Sequence, residues 1–295
     1  MGKILAICSD DKKSGKSIVS YLIANKIKEI AQNNFKILVC CLNLNYSALY
    51  ELFGMEFSAV GLEELVNHKV FEEDNSKIIF SIIPQSNGIY FLGSYRTTNS
   101  YIKKNTEEYK KLFKCLQNSF DIIIFDTVSG SGSNLTNFVI QRADIIVRLF
   151  VQDNESMKKL NRKDGIKLSH DRKTIYIVSK YRNIYPRVSD IKRRYSLKKI
   201  FTFEYCDKLQ EMKNRNSLYL YPQHETSCND SINCISRYIL ESLNLLPQDE
   251  IVKDSSVRYI CDLKHTLKKL KQIWYGGKEH EDIAEFVPKR ADGLY

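Results

Sequence analysis

Gly15, Lys16 and Ser17 stand between a short apolar run, KILAIC at 3–8, and a segment of helical period, KSIVSYLIANKIKEIAQ. A strand, a loop ending in Gly-Lys-Ser and then a helix form the setting in which a Walker A signature holds phosphate. Backbone N–H groups at the helix start would cradle phosphate oxygens, Lys16 would reach the β- and γ-phosphates, and the Ser17 hydroxyl would ligate magnesium. Lys12, Lys13, Ser14 and Gly15 complete the loop expected to surround those phosphates. The glycine that the signature places five residues before Gly15 is Asp10 here. Asp126 closes a second apolar run, FDIIIFDT at 120–127, where a carboxylate orients magnesium or its water; TVSGSGSN, at 127–134, then reads as a loop that senses nucleotide. Ser17 and Asp126 are therefore the expected magnesium residues. On these residues alone, a solvated lysine-rich turn and a polar strand terminus remain the alternatives.

These residues need strands that end side by side. Runs rich in Ile and Val recur at 3–8, 35–43, 88–94, 120–127, 143–151, 173–181 and 199–205, with segments of helical period between them. Continuous apolar strands alternating with helices are the pattern of a parallel sheet buried on both faces. The expected fold is α/β: a doubly wound, mostly parallel sheet of about seven strands, of P-loop NTPase type. Thr106 is the expected N-cap of a helix over TEEYKKLFKCLQNS. After Pro247 the alternation stops, which divides the chain into an NTPase-like domain, 1–247, and a C-terminal amphipathic helix and tail, 248–295. Asp254 would cap that helix, and Gly276-Gly277 would end it.

Composition narrows the class of protein. The 295 residues are 43% hydrophobic, enough for one large core. The N-terminal apolar run is too short for a signal peptide, and no stretch approaches about 18 consecutive apolar residues, so a cytoplasmic protein is expected. The eight cysteines never occur as CxxC, and they read as reduced core thiols rather than a zinc site or redox dithiol. A net charge of +10 favours an anionic partner: nucleic acid, acidic lipid or an acidic protein.

The order of KKSGKSIVSYLIANKI, KILVCCLNLNYSALYELFG, GLEELV, IYFLGSY, FDIIIFDTVSG, ADIIVRLFVQDNESMKKL, IVSKYRN and IFTFEYCDKLQEM resembles the MinD/ParA family of dimerising P-loop ATPases over roughly residues 1–245. The TadZ/CpaE-like branch, which positions pilus machinery, is the nearest in flavour. The resemblance implies ATP and Mg²⁺ as ligands and a homodimer. The sequence also departs from the family. Its deviant loop, KGGxGK(S/T), is DKKSGKS here, so Asp11 stands for the signature lysine and Lys12 and Lys13 for two glycines. The strand that ends in catalytic aspartates ends in LNLN, which puts Asn43 and Asn45 at those positions. An amide keeps the shape but loses the charge that polarises water. Ser179 matches an asparagine that contacts adenine. These departures imply weak or absent hydrolysis.

The functional expectation is thus an ATP-binding, nucleotide-dependent localisation or assembly factor, with a protein partner at a membrane machine. The alternatives are a ParA-like partition protein that binds DNA nonspecifically through residues 187–199, and a pseudo-ATPase scaffold without nucleotide. The basic helix at 255–275 would pack on the core, lie on an acidic membrane, placing the protein at the inner face, or bind a partner. An iron–sulfur reductase is disfavoured, because the loop after Asp126 offers no cysteine.

Overall fold

The computed structural model describes residues 1–43, 47, 49–52, 54, 60–72, 76–94, 97–130, 133–161, 173–223 and 227–246. The expectations for Asn45, for the helix at 255–275 and for all of 248–295 lie outside the described residues. Met1–Leu245 form one compact unit.

Among the described residues eight strands form one sheet: β1 (Lys3–Cys8), β2 (Ile37–Cys41), β3 (Gln85–Ser86), β4 (Ile89–Leu92), β5 (Ile122–Asp126), β6 (Ile145–Val151), β7 (Lys173–Tyr181) and β8 (Ile200–Glu204). They lie in the order β3-β4-β2-β5-β1-β6-β7-β8, and every pairing is parallel except β3 with β4. All seven expected runs are strands. The eighth, two residues long, is a hairpin partner made by the turn at Asn87 and Gly88, whose φ angles of 50° and 69° suit the right-handed twist of a two-residue hairpin. β2 and β5 are buried along their whole length and β1 and β6 at all but one terminal residue, with Leu5, Ile7, Val39, Ile122, Ile124 and Ile145 closed to solvent. This follows from helices covering both faces, and it is why these strands read as unbroken apolar runs instead of alternating ones.

The helix Lys16–Ile30 buries Val19, Leu22, Ile23, Ile27 and Ile30 and packs against the helix Ser227–Ser242. The expected cap at Thr106 is corrected. A short helix, Asn99–Lys104, ends just before Asn105, so the chain enters the next helix already coiled; Thr106 is its first residue, and its hydroxyl donates back to the Ile102 carbonyl at 2.8 Å. No helix among the described residues is long and apolar enough to cross a membrane.

Strand register sets the positions of the charged side chains. Asp126, the last residue of β5, lies level with Ile7 of β1 on one side and Cys41 of β2 on the other. Across β1, Cys8 lies level with Arg148 of β6. The loop that leaves β1 therefore starts with a carboxylate on one flank and a guanidinium on the other.

Candidate nucleotide site

Residues 9–15 lead from β1 into the helix Lys16–Ile30. Gly15, its N-cap, has φ 91°, which glycine adopts without a steric penalty. A Cβ built there would meet nothing within 4 Å, so the space above Gly15 is open. No side chain caps this helix end, which leaves the first-turn N–H groups without intrahelical acceptors. Ser14 is buried, and its hydroxyl has no hydrogen-bond partner among the described residues.

Below this open space the charged residues converge. The Ser17 hydroxyl donates to Asp126 Oδ2 at 2.5 Å, and the Cys41 thiol approaches the same oxygen at 3.7 Å. Lys16 Nζ donates to Ser129 Oγ at 2.6 Å, and Ser129 donates to the Asp11 carbonyl at 3.0 Å. Asp126 is only 3% exposed. Burial pushes its carboxyl above the usual range, opposed by the Ser17 hydrogen bond and the Lys16 charge. Burial likewise lowers the Lys16 ammonium, opposed chiefly by Asp126. Each charge is thus poorly solvated and only partly compensated by the other. A phosphate at Lys16 and a cation at Asp126 would supply the missing charges, and the orphaned Ser14 hydroxyl and free N–H groups fit a phosphate. The residues present therefore fit Mg²⁺ and a nucleotide phosphate.

The acidic residues of the loop point elsewhere. Arg148 Nη2 bonds Asp10 Oδ2 at 2.5 Å, and the two side chains are 5% and 10% exposed. The same nitrogen donates to the Lys159 carbonyl at 3.1 Å. The Asp11 carboxylate takes Lys159 Nζ at 2.5 Å on one oxygen and the Ser156 hydroxyl on the other. Ser156 is fixed in turn, because its hydroxyl accepts from the Val151 N–H at 2.9 Å. Asp11 thus directs its charge into a pair rather than at the open space. Of the two lysines at glycine positions, only Lys13 takes a left-handed angle, φ 59°. That costs roughly 1–2 kcal/mol for a residue with a Cβ.

No protein-family model and no curated protein matches the sequence. Solved structures do. A ParA family ATPase from Chlorobium tepidum TLS aligns with a TM-score of 0.66 over 80% of this chain and 99% of its own, at 13% identity. The fold is that of the ParA and MinD ATPases. MinD of Pyrococcus horikoshii OT3, solved with Mg-ADP, gives 0.62 at 12% identity over 84% and 100%. A variant of Cyanothece McdA, solved as its ATP complex, gives 0.61 at 17% identity over 83% and 97%. At such identities the likeness is one of fold.

Within this ParA/MinD-like fold, the structure brings Ser14, Gly15, Lys16, Ser17 and Asp126 together. Lys12 and Lys13 are exposed on the loop, and Asn43 is exposed two residues past β2. Ser179 is wholly buried on β7, and its hydroxyl donates to the Phe150 carbonyl at 3.3 Å. Four residues that the sequence reading did not single out also belong to the site: Ser129, Arg148, Ser156 and Lys159. Arg148 alone carried a signal, as the one charge within the apolar stretch IIVRLFV. Burial pushes the Cys8 thiol, beneath the loop, up to about 12, which keeps it protonated.

Two outcomes follow from this geometry. Arg148→Met, which removes the Arg148 side of the nearly dry pair with Asp10, should lower unfolding free energy by about 3 kcal/mol in urea titration. The Asp10→Leu/Arg148→Met double variant should recover part of that loss, whereas full additivity would show that the two side chains do not act as a pair. For Asp126 the sign is set by a folded-state pKa above the unfolded one. In the metal-free protein its contribution is fully present below the unfolded carboxylate pKa and is lost as pH rises through the higher folded value. Asp126→Asn should therefore melt above the parent at pH 7, with the gap closing in acid; a lower melting temperature at pH 7 would contradict this.

Proposed function

We propose that this chain binds ATP with Mg²⁺ at the loop 12–17 and uses occupancy of that site as a switch for localisation or assembly, with slow or absent turnover. The observation that carries the reading is the convergence of Lys16, Ser17 and Asp126 at the start of a helix that no side chain caps, with open space over Gly15 and the unpartnered Ser14 hydroxyl buried beside it. Lys16 would hold β- and γ-phosphate oxygens, Ser14 and the N–H groups of 14–17 would hold the phosphates' remaining oxygens, and Ser17 with Asp126 would hold the metal. The metal would supply charge neutralisation between phosphates. Slow turnover is supported by Asn43, an amide that polarises water poorly, and by Asp11, whose charge is opposite to that of the lysine it replaces. Two of the similar structures hold Mg-ADP and ATP, which supports the choice of ligand.

A nucleotide-dependent homodimer that places a protein partner at a membrane machine, of the pilus type, is the corresponding role. A scaffold that has lost nucleotide is the competing one, and a single titration separates them. ATP and Mg²⁺ titrated calorimetrically into the full chain should bind, with affinity falling at least ~10-fold, about 1.4 kcal/mol, in Lys16→Ala. Phosphate release from the same samples should stay near the protein-free blank. No heat of binding with the unaltered chain would leave the scaffold; brisk phosphate release would overturn slow turnover.

A further inference from the structure

Away from the phosphate loop, a second surface is assembled where β7 ends. Between Arg182 and Lys199 lie seven basic residues, Arg182, Arg187, Lys192, Arg193, Arg194, Lys198 and Lys199, against one acid, Asp190. In the middle of this charge two apolar side chains face water, with Ile184 57% and Tyr185 81% exposed. Large apolar groups presented in this way inside a polar rim mark interaction sites.

The loop that carries them is held in shape by one side chain. Gln152, just past β6, donates from Nε2 to the Ile184 carbonyl at 3.0 Å and the Pro186 carbonyl at 2.8 Å, and accepts from the Arg182 N–H at 3.0 Å. A loop braced at three backbone atoms loses little further entropy when a partner arrives. Beside it, between Tyr185 and the helix Val188–Arg194, lies a cleft of about 160 Å³ lined by Met157, Pro186 and Ile191, with Arg193 and Arg194 also in its wall. A volume of ~150 Å³ is of the size that takes a benzene-sized group. Asp190, which also lines the cleft, is engaged by the Arg187 N–H at 3.1 Å and by Arg193 at 3.5 Å, and it is the one acid among the seven basic residues of this stretch.

We propose that this cleft is a docking site for an acidic peptide segment of a protein partner, which inserts one large apolar side chain while its carboxylates meet Arg193, Arg194 and their basic neighbours. Charge complementarity sets the sign of the partner, and the lining sets its form. Met157, Pro186 and Ile191 give the cleft an apolar side that one side chain of a peptide can cover, and Arg193 and Arg194 in its wall supply the charge that acidic neighbours would meet. A branched aliphatic or aromatic side chain fills such a cleft and dries it, which strengthens the rim charge pairs around it.

The test is selection of a displayed random-peptide library on the full chain, with Arg193→Glu/Arg194→Glu as the counter-target. Both arginines are exposed, and circular dichroism confirms that the variant folds. Enriched peptides should carry several acids around one large apolar residue. By fluorescence anisotropy their synthetic versions should weaken at least ~10-fold on the double variant, and again when the apolar residue becomes serine. Enrichment equal on both targets, peptides without that signature, or no enrichment would overturn the proposal. A random-sequence duplex DNA probe runs alongside: binding that is lost in the double variant and displaces the peptides would assign the surface to nucleic acid instead.

Discussion

The site depends on how a loop poor in glycine and rich in charge is kept open. Asp10 and Asp11 lie in the loop where the proposed phosphate would be received, and left to themselves they would repel it. Arg148 and Lys159 draw both carboxylates to the β6 flank, and Ser156 fixes the second of them. The pairs act on charge, by removing two negative groups from the phosphate face, and on shape, by tying the loop at two consecutive residues. The Asp10–Arg148 pair is nearly dry. Its net value to stability is modest, because both charges lost water to form it, but breaking it on one side is costly. A buried pair of this kind specifies conformation more than it adds stability, which is what a loop without its usual glycines requires.

On the opposite flank the balance is reversed. Lys16, half-buried, and Asp126, buried, lie beside hydroxyls rather than locked in a direct pair, and loss of solvent shifts each toward its neutral form. The molecule therefore keeps its loop acids satisfied and its loop-facing lysine and carboxylate under-compensated. That asymmetry is the physical sense in which the site awaits an anion and a cation together. Register produces it, because β1 has Asp126 beside it on β5 and Arg148 beside it on β6.

Much of this was legible in the sequence. Strands buried on both faces declare themselves as runs such as DIIIFD and KILVCC, and the Gly-Lys-Ser marks where the loop after β1 passes into the helix Lys16–Ile30. What escaped depended on tertiary placement. Nothing local in NESMKKL marks Ser156 and Lys159 as partners of a residue some 145 positions earlier. Arg148 was visible as a charge in an apolar strand, but its partner was not. Ser179, matched by resemblance to an asparagine that contacts adenine, lies on β7 with β8 paired alongside it and is closed to solvent. The exposed tip at Ile184 and Tyr185 lies just before the basic stretch read at 187–199, and its brace from Gln152 joins residues about thirty positions apart.

The central claim is that the acid–base pairs on the β6 flank hold a loop able to receive phosphate. It is tested most directly by a crystal structure of the chain grown with Mg²⁺ and a non-hydrolysable ATP analogue. The account predicts phosphate oxygens within hydrogen-bonding reach of Lys16 Nζ and Ser14 Oγ, the metal between Ser17 and Asp126, and both the Asp10–Arg148 and Asp11–Lys159 pairs unbroken. An analogue bound elsewhere, or Arg148 and Lys159 released from the aspartates to grip the phosphates themselves, would contradict it.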